Sequence, residues 1–109
     1  MKTAEIKITV ELDDNNVPEN ILWESTDSDN KDKVAAKSMM LALWDHSYKN
    51  SMRIDLWTKD MPVDEMKQFF HQTLVAMADT FQCATADEKM SDTMRDFCDY
   101  FAEKMDLKA

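Results

Sequence analysis

Apolar and polar residues alternate most clearly near the amino terminus. Residues 4–12 place Ala, Ile, Ile, Val and Leu at every second position, with charged or polar residues between them. A period of two predicts a strand with one buried and one solvated face. Residues 13–18 read Asp-Asp-Asn-Asn-Val-Pro, which is typical of a turn, and residues 19–26 contain the apolar run Ile21 to Trp23. We therefore expect two strands joined as a hairpin.

The middle of the chain predicts a loop, a helix and a third strand. Residues 25–33 are polar and without periodicity, which indicates a mobile loop. Residues 34–47 are predicted to form a helix that is apolar on nearly all sides and therefore needs cover on two sides. Residues 51–58 return to alternation and predict a strand. One of its faces holds Met52, Ile54 and Leu56, and the other holds Arg53, Asp55 and Trp57.

The last part of the chain predicts two paired helices. Pro62 suits a first helical turn, and apolar residues recur at spacings of four and three over residues 62–84. Residues 85–88 read Thr-Ala-Asp-Glu, the pattern of a capping box, and start a second helix. The two apolar stripes are Met66, Phe70, Leu74, Met77 and Phe81, then Met90, Met94, Phe97, Phe101 and Met105. Six methionines lie in or next to these stripes and are expected to fill the core.

The element order β-β-α-β-α-α predicts an α+β fold. We expect a small antiparallel three-stranded sheet, helices packed on one of its faces, and a C-terminal helical hairpin. A chain of 109 residues has room for one modest core, so residues 1–109 are predicted to form a single domain.

Composition excludes several classes of function. The net charge of −9 repels nucleic acid and anionic lipid. The sequence contains no glycine, so we expect its turns to use Asp, Asn, Ser or Pro, and a phosphate-binding glycine loop is excluded. No apolar run is long enough to insert into a membrane, and the charged amino terminus does not resemble a secretory signal. We expect a cytoplasmic protein with reduced cysteines.

No catalytic residue, metal site or cofactor is predicted. The neighbours Asp45 and His46 point about 100° apart on a helix and cannot orient each other, so His46 is expected to lie at a helix C-terminus. His71 falls on the polar arc of its helix and is expected to be solvated. Cys83 and Cys98 do not form a close ligand pair and therefore do not indicate zinc.

Apolar residues outside the predicted core stripes indicate protein binding. Trp57 lies among charged residues on the solvated face of its strand, as interface aromatics do. Self-association as a homodimer is an open alternative, because the predicted sheet has two unprotected edges. The predicted binding residues are Arg53, Asp55, Trp57, Val34, Leu41 and Val75.

One long segment of the sequence is distinctive as a motif. It is residues 53–66, Arg-Ile-Asp-Leu-Trp-Thr-Lys-Asp-Met-Pro-Val-Asp-Glu-Met, continued by residues 69–77. Together with residues 5–8, 14–18, 87–90 and 97–104, this segment resembles the gliding motility-associated protein GldC family. The resemblance implies a small cytoplasmic accessory protein of the gliding machinery, without enzyme activity. Its implied partner is an envelope component of that machinery.

Three hypotheses follow from the sequence. The first is a non-enzymatic adaptor that binds and stabilises a gliding-machinery component through Arg53, Asp55 and Trp57. The alternative is a general holdase chaperone for exported chains, since methionine-rich surfaces adapt to many partners. A remote alternative is a small enzyme that uses His71 or the pair Asp45 and His46.

Overall fold

The computed structural model describes residues 1–27 and 32–107. The predicted loop over residues 25–33 therefore lies partly outside the described residues. The chain divides into two compact units, Met1–Met61 and Pro62–Ala109. The expected single domain over residues 1–109 stays a prediction.

The described residues of the first unit form five strands in two antiparallel sheets. The first sheet has the order β1 (Ile6–Leu12), β2 (Pro18–Ser25), β3 (Val34–Ala36). The second sheet is a hairpin of β4 (Ser38–Trp44) and β5 (Ser51–Trp57). The predicted strands at the amino terminus and at residues 51–58 are confirmed.

The core of the first unit is centred on the β1–β2 hairpin. Val10 pairs with Ile21 and Ile8 pairs with Trp23, so apolar side chains from both strands share one face. Ile21 is only 1% exposed. The predicted turn is built on Asp13, whose Oδ1 accepts the backbone N–H groups of Asn15 and Val17 at 2.8 and 2.9 Å. This side chain replaces backbone hydrogen bonds that the turn cannot make.

The predicted helix over residues 34–47 is wrong. Residues 34–36 and 38–44 are strands, and a bend at Lys37 separates them. The uninterrupted apolar run Met39 to Trp44 has no period of its own, so the pattern alone cannot distinguish a strand from a helix. The strand over residues 51–57 decides the question, because it pairs with residues 38–44 along their whole length. The predicted three-stranded sheet is accordingly replaced by two sheets.

The second unit is the predicted helical hairpin, and the α+β class is confirmed with it. Helix α1 (Val63–Thr85) has Asp64 and Glu65 in its first turn, where carboxylates favour the helix dipole. Helix α2 (Glu88–Lys104) follows after two residues. Its N-cap is Asp87, whose Oδ1 accepts the Met90 N–H at 3.0 Å. The predicted capping box, with its hydroxyl cap at Thr85, is wrong, because Thr85 still belongs to α1.

Small residues allow the two helices to approach closely. Ala78 of α1 and Ser91, Cys98 and Ala102 of α2 are all buried. Arg95 joins the helices, since its Nη2 donates to Asp79 at 2.9 Å and to Gln82 at 2.7 Å. Burial raises the pKa of the Cys98 thiol, as desolvation disfavours the thiolate.

The predicted apolar stripes are only partly covered. About half of the side chain of Met77, Met90 and Phe97 is exposed. The expectation that methionine fills the helical core is therefore wrong for Met77 and Met90. In the part of the chain that the structure describes, neither helix combines the length and apolar character needed to cross a membrane.

An ion pair joins the β1–β2 turn to Lys59, the second residue after β5. Lys59 Nζ lies 2.5 Å from Asp13 Oδ2 and 3.6 Å from Glu19 Oε1. The Lys59 hydrogen bond, together with the N–H of Val17, lowers the pKa of Asp13 from 3.8 to about 2. Because the pKa of Asp13 is lower in the folded chain than in the unfolded chain, its carboxylate stabilises the fold at pH values above the unfolded pKa of 3.8. This stabilisation is lost as the pH falls from about 3.8 to about 2.

We expect Lys59→Met to lower the free energy of unfolding at pH 7 and to have a smaller effect at pH 2.5. At pH 2.5 the Asp13 carboxyl is protonated in the unfolded chain, so most of the stabilisation that comes from its lowered folded pKa of about 2 is already lost. Urea denaturation at the two pH values measures both differences. Lys89→Met is the control, as it removes an exposed cation from α2. An equal loss at both pH values would show that the ion pair does not stabilise the turn.

Ala86, which ends α1, offers a second test of the fold. It has φ 58°, and its N–H donates to Gln82 O, so it occupies a left-handed position that glycine normally takes. We expect Ala86→Gly to stabilise the protein by about 0.5–1 kcal/mol, because the strain on Cβ exceeds the added entropy of the unfolded chain. Ala76→Gly, at an exposed position inside α1, should instead destabilise by about 0.5–1 kcal/mol. Thermal unfolding of both variants checks the opposite signs.

Candidate protein-binding surface

The β4–β5 hairpin positions three of the six predicted binding residues. Its register pairs Trp57 with Ser38, Asp55 with Met40, and Arg53 with Ala42. Directly opposed residues of antiparallel strands share a face, so Arg53, Asp55 and Trp57 lie on one side of the hairpin, as predicted. We call this side the tryptophan face; its members are Ser38, Met40, Ala42, Trp44, Ser51, Arg53, Asp55 and Trp57.

The tryptophan face combines exposed aromatic rings with an ion pair. Trp57 is 58% exposed and Trp44 is 69% exposed. Between them along the sheet, Arg53 Nη2 donates to Asp55 Oδ1 at 2.9 Å, and Arg53 Nε donates to Oδ2 at 3.3 Å. Both charged side chains are about half exposed, so water screens the pair and it adds little to stability. The pair instead holds the guanidinium and the carboxylate in a fixed arrangement that a partner could recognise.

The opposite side of the same hairpin is entirely apolar. Leu43, Met52 and Ile54 are each more than half exposed. Soluble proteins rarely expose contiguous apolar surface unless it binds something. We call this side the apolar face; its members are Met39, Leu41, Leu43, Met52, Ile54 and Leu56.

The other predicted binding residues do not join the tryptophan face. Leu41 is half-buried on the apolar face, opposite Ile54. Val34 is half-buried on β3, where it pairs with Trp23 in the other sheet. Both were expected on one helix, and the absence of that helix separates them. Val75 is half-buried on α1 in the second unit.

Sequence reasoning missed Trp44 of the tryptophan face and the turn of the hairpin that follows it. Residues 45–50 form this turn, in which Asp45 Oδ2 accepts the N–H groups of Ser47 at 3.0 Å and Tyr48 at 2.6 Å. Tyr48 is 83% exposed. The sequence does contain a turn signal here, since residues 45–51 read Asp-His-Ser-Tyr-Lys-Asn-Ser. Asp, Asn and Ser are typical of turns. Assigning them to a helix end concealed it.

The structure also places the residues of the remote enzyme hypothesis. His46 is exposed in the turn of the hairpin and is not at a helix C-terminus, so that prediction is wrong. The Asp45 carboxylate is occupied by turn N–H groups. His71 is half-buried and its ring stacks on Phe101, with centroids 6.3 Å apart and planes inclined by 15°. The expectation of a solvated His71 is therefore wrong.

Two shallow surface depressions are lined by ionisable side chains. One, of about 270 Å³, is lined by His71 together with Gln68, Gln72, Asp106 and Leu107. The other, of about 290 Å³, lies at the open end of the β1–β2 hairpin beside Lys7 and Glu24. Within residues 1–27 and 32–107, no group of three or more His, Cys, Asp and Glu side chains could hold a metal ion.

Comparison with known proteins assigns the chain to a family. A family model described as gliding motility-associated protein GldC-like matches residues 18–107, which include β2 to β5 and both helices. No curated protein and no solved structure shows significant similarity. The match confirms the resemblance found in the sequence and covers most of the chain. This chain therefore belongs to the GldC-like family of gliding motility-associated proteins.

Proposed function

We propose that this chain is a non-enzymatic, cytoplasmic accessory protein of the gliding machinery that binds and stabilises an envelope component. The observation that carries the proposal is the tryptophan face, where Trp57 and Trp44 project from a sheet with the Arg53–Asp55 pair between them. Tryptophan and arginine are the residues that most often dominate binding energy at interfaces. Membership of a gliding motility-associated family supports the choice of machinery.

The surface charge supports a protein partner rather than nucleic acid. At a net charge of −9, counterion release cannot favour binding to a phosphate backbone. The same charge favours a partner surface rich in Lys or Arg, which would be attracted to the chain over long distances. The free thiols of Cys83 and Cys98 suit a reducing compartment, in agreement with the proposed cytoplasmic location.

A holdase is the second candidate function. The observation that favours it is the half-exposed apolar surface of the helical hairpin, including Met77, Met90 and Phe97. Flexible methionine side chains adapt to many unrelated sequences. A holdase and a selective adaptor differ in how many partners they bind.

Trp57→Ala tests the proposed adaptor site. We expect the variant to lose an envelope protein of the gliding machinery that co-purifies with the wild-type chain from the native cell. Removing an interface anchor typically costs at least about 2 kcal/mol, which corresponds to roughly thirtyfold in affinity. Quantitative mass spectrometry of the affinity-purified material measures the change.

Tyr48→Ala is the matched control, because it removes an exposed aromatic ring from the turn of the same hairpin. Circular dichroism must show that both variants are folded. A folded Trp57→Ala chain that recovers the same partners in the same amounts as the wild type would refute the assignment of the site. Suppression of the aggregation of a standard unfolded client, without a preferred partner, would favour the holdase instead.

A further inference from the structure

Strand β5 has a free edge. Among the described residues, β5 pairs only with β4, in a sheet of two strands. Six of its seven residues are exposed, and only Leu56 is half-buried. An exposed strand edge is a row of unpaired backbone groups that can bind another strand.

The hydrogen bonds of the hairpin identify which residues of β5 face this edge. Asp45 N–H donates to Asn50 O at 2.9 Å, and Thr58 N–H donates to Lys37 O at 2.8 Å. These bonds lie at the two ends of one continuous register. Since hydrogen-bonded and non-bonded pairs alternate in antiparallel strands, Met52, Ile54 and Leu56 direct their backbone groups to β4. Arg53 and Asp55, with Ser51 and Trp57 at the ends, direct theirs to the free edge.

We propose that β5 pairs antiparallel with β5 of a second copy of this chain, about a twofold axis at Ile54. In this register Arg53 lies opposite Asp55 of the partner subunit, and Asp55 lies opposite Arg53 of the partner subunit. Met52 lies opposite Leu56 of the partner subunit, and all seven residues of the strand are paired. The occupant of the edge is therefore a second copy of the same strand.

Charge complementarity selects this register. The free edge allows pairing only between residues that both direct their backbone outwards, so Arg53 can oppose Ser51, Arg53, Asp55 or Trp57 of another copy. A register centred on Arg53 would place two guanidinium groups together, and one centred on Asp55 would place two carboxylates together. Like charges directly opposite each other destabilise a sheet. Only the register centred on Ile54 forms two pairs of opposite charge and also pairs all seven residues of β5.

The other free edges are less suitable. Lys7 and Glu11 of β1 would also oppose each other about Thr9, but the register of β1 shifts between Glu11 and Leu12. A bulge bends an edge and interrupts the pairing of a further strand. Strand β4 carries no charge that would select a register, and its residues 38–41 are half-buried.

The pairing extends the proposed function. It would create a four-stranded sheet in which each tryptophan face and each apolar face continues into that of the partner subunit. Two copies of the proposed adaptor site would then lie on one surface and bind a partner bivalently. A contact of one strand on each side is smaller than the roughly 800 Å² per partner of a standard interface. We therefore expect a dimer that dissociates on dilution.

Charge substitutions in β5 test the register. Arg53→Asp places two carboxylates opposite each other, and Asp55→Arg places two guanidinium groups opposite each other. Each variant alone should self-associate on the order of tenfold more weakly than the wild type, because two attractive pairs become repulsive. An equimolar mixture of the two variants, and the double variant Arg53→Asp/Asp55→Arg, should both recover wild-type affinity. Sedimentation equilibrium measures all five samples.

The controls are Lys7→Asp and Glu11→Arg, which make the same changes of charge on β1. They should leave the dimer unchanged. The proposal is overturned by a wild-type chain that stays monomeric up to about 1 mM, by a double variant that fails to recover, or by loss of the dimer only in the β1 variants. Self-association is measured on the purified chain alone, so it can fail while the adaptor proposal stands. Trp57→Ala should keep the dimer while losing the envelope partner.

Discussion

The backbone ladder between β4 and β5 is the interaction on which the candidate site depends. Seven pairs in an unbroken register hold the two strands together. The ladder sorts their side chains into two faces of different chemistry, because successive residues of a strand alternate in direction. None of the described strands lies against the outward backbone groups of Arg53 and Asp55. The exposed tryptophan, the ion pair and the free edge are three consequences of one register.

The absence of glycine imposes a second constraint, which side chains resolve locally. Among the residues that the structure describes, four have positive φ and occupy positions where glycine is usual: Asn16, Lys49, Ala86 and Asp106. Asn and Asp tolerate this region because they can form local hydrogen bonds, whereas Ala and Lys accept strain. The expectation that turns use only Asp, Asn, Ser or Pro is therefore wrong at Lys49 and Ala86. Nearby carboxylates accept hydrogen bonds from the backbone in the same segments. Asp45 accepts the Tyr48 N–H in the turn of the β4–β5 hairpin, and Asp87 accepts the Met90 N–H at the start of α2.

The helical hairpin uses its apolar residues differently from a buried core. Small side chains fill the contact between the helices, with Ala78, Ser91 and Ala102 buried. Larger residues such as Phe97 and Met90 lie beside this contact and are half exposed. The helical hairpin therefore combines close packing between its helices with large apolar side chains that are half exposed. Arg95 of α2 links the two helices through its hydrogen bonds to Asp79 and Gln82 of α1.

Local sequence patterns were sufficient to predict the amphipathic elements and the β1–β2 turn. Strict alternation predicted β1 and β5, and spacings of three and four predicted both helices, because these periods are local properties of the chain. Alternation also placed Arg53, Asp55 and Trp57 on one face before any partner strand was known. Only the tertiary structure decided the state of residues 34–44, whose apolar run satisfies a strand or a helix equally well. Pairing with residues 51–57 settled that state, separated Leu41 from Trp57, and left the edge of β5 open.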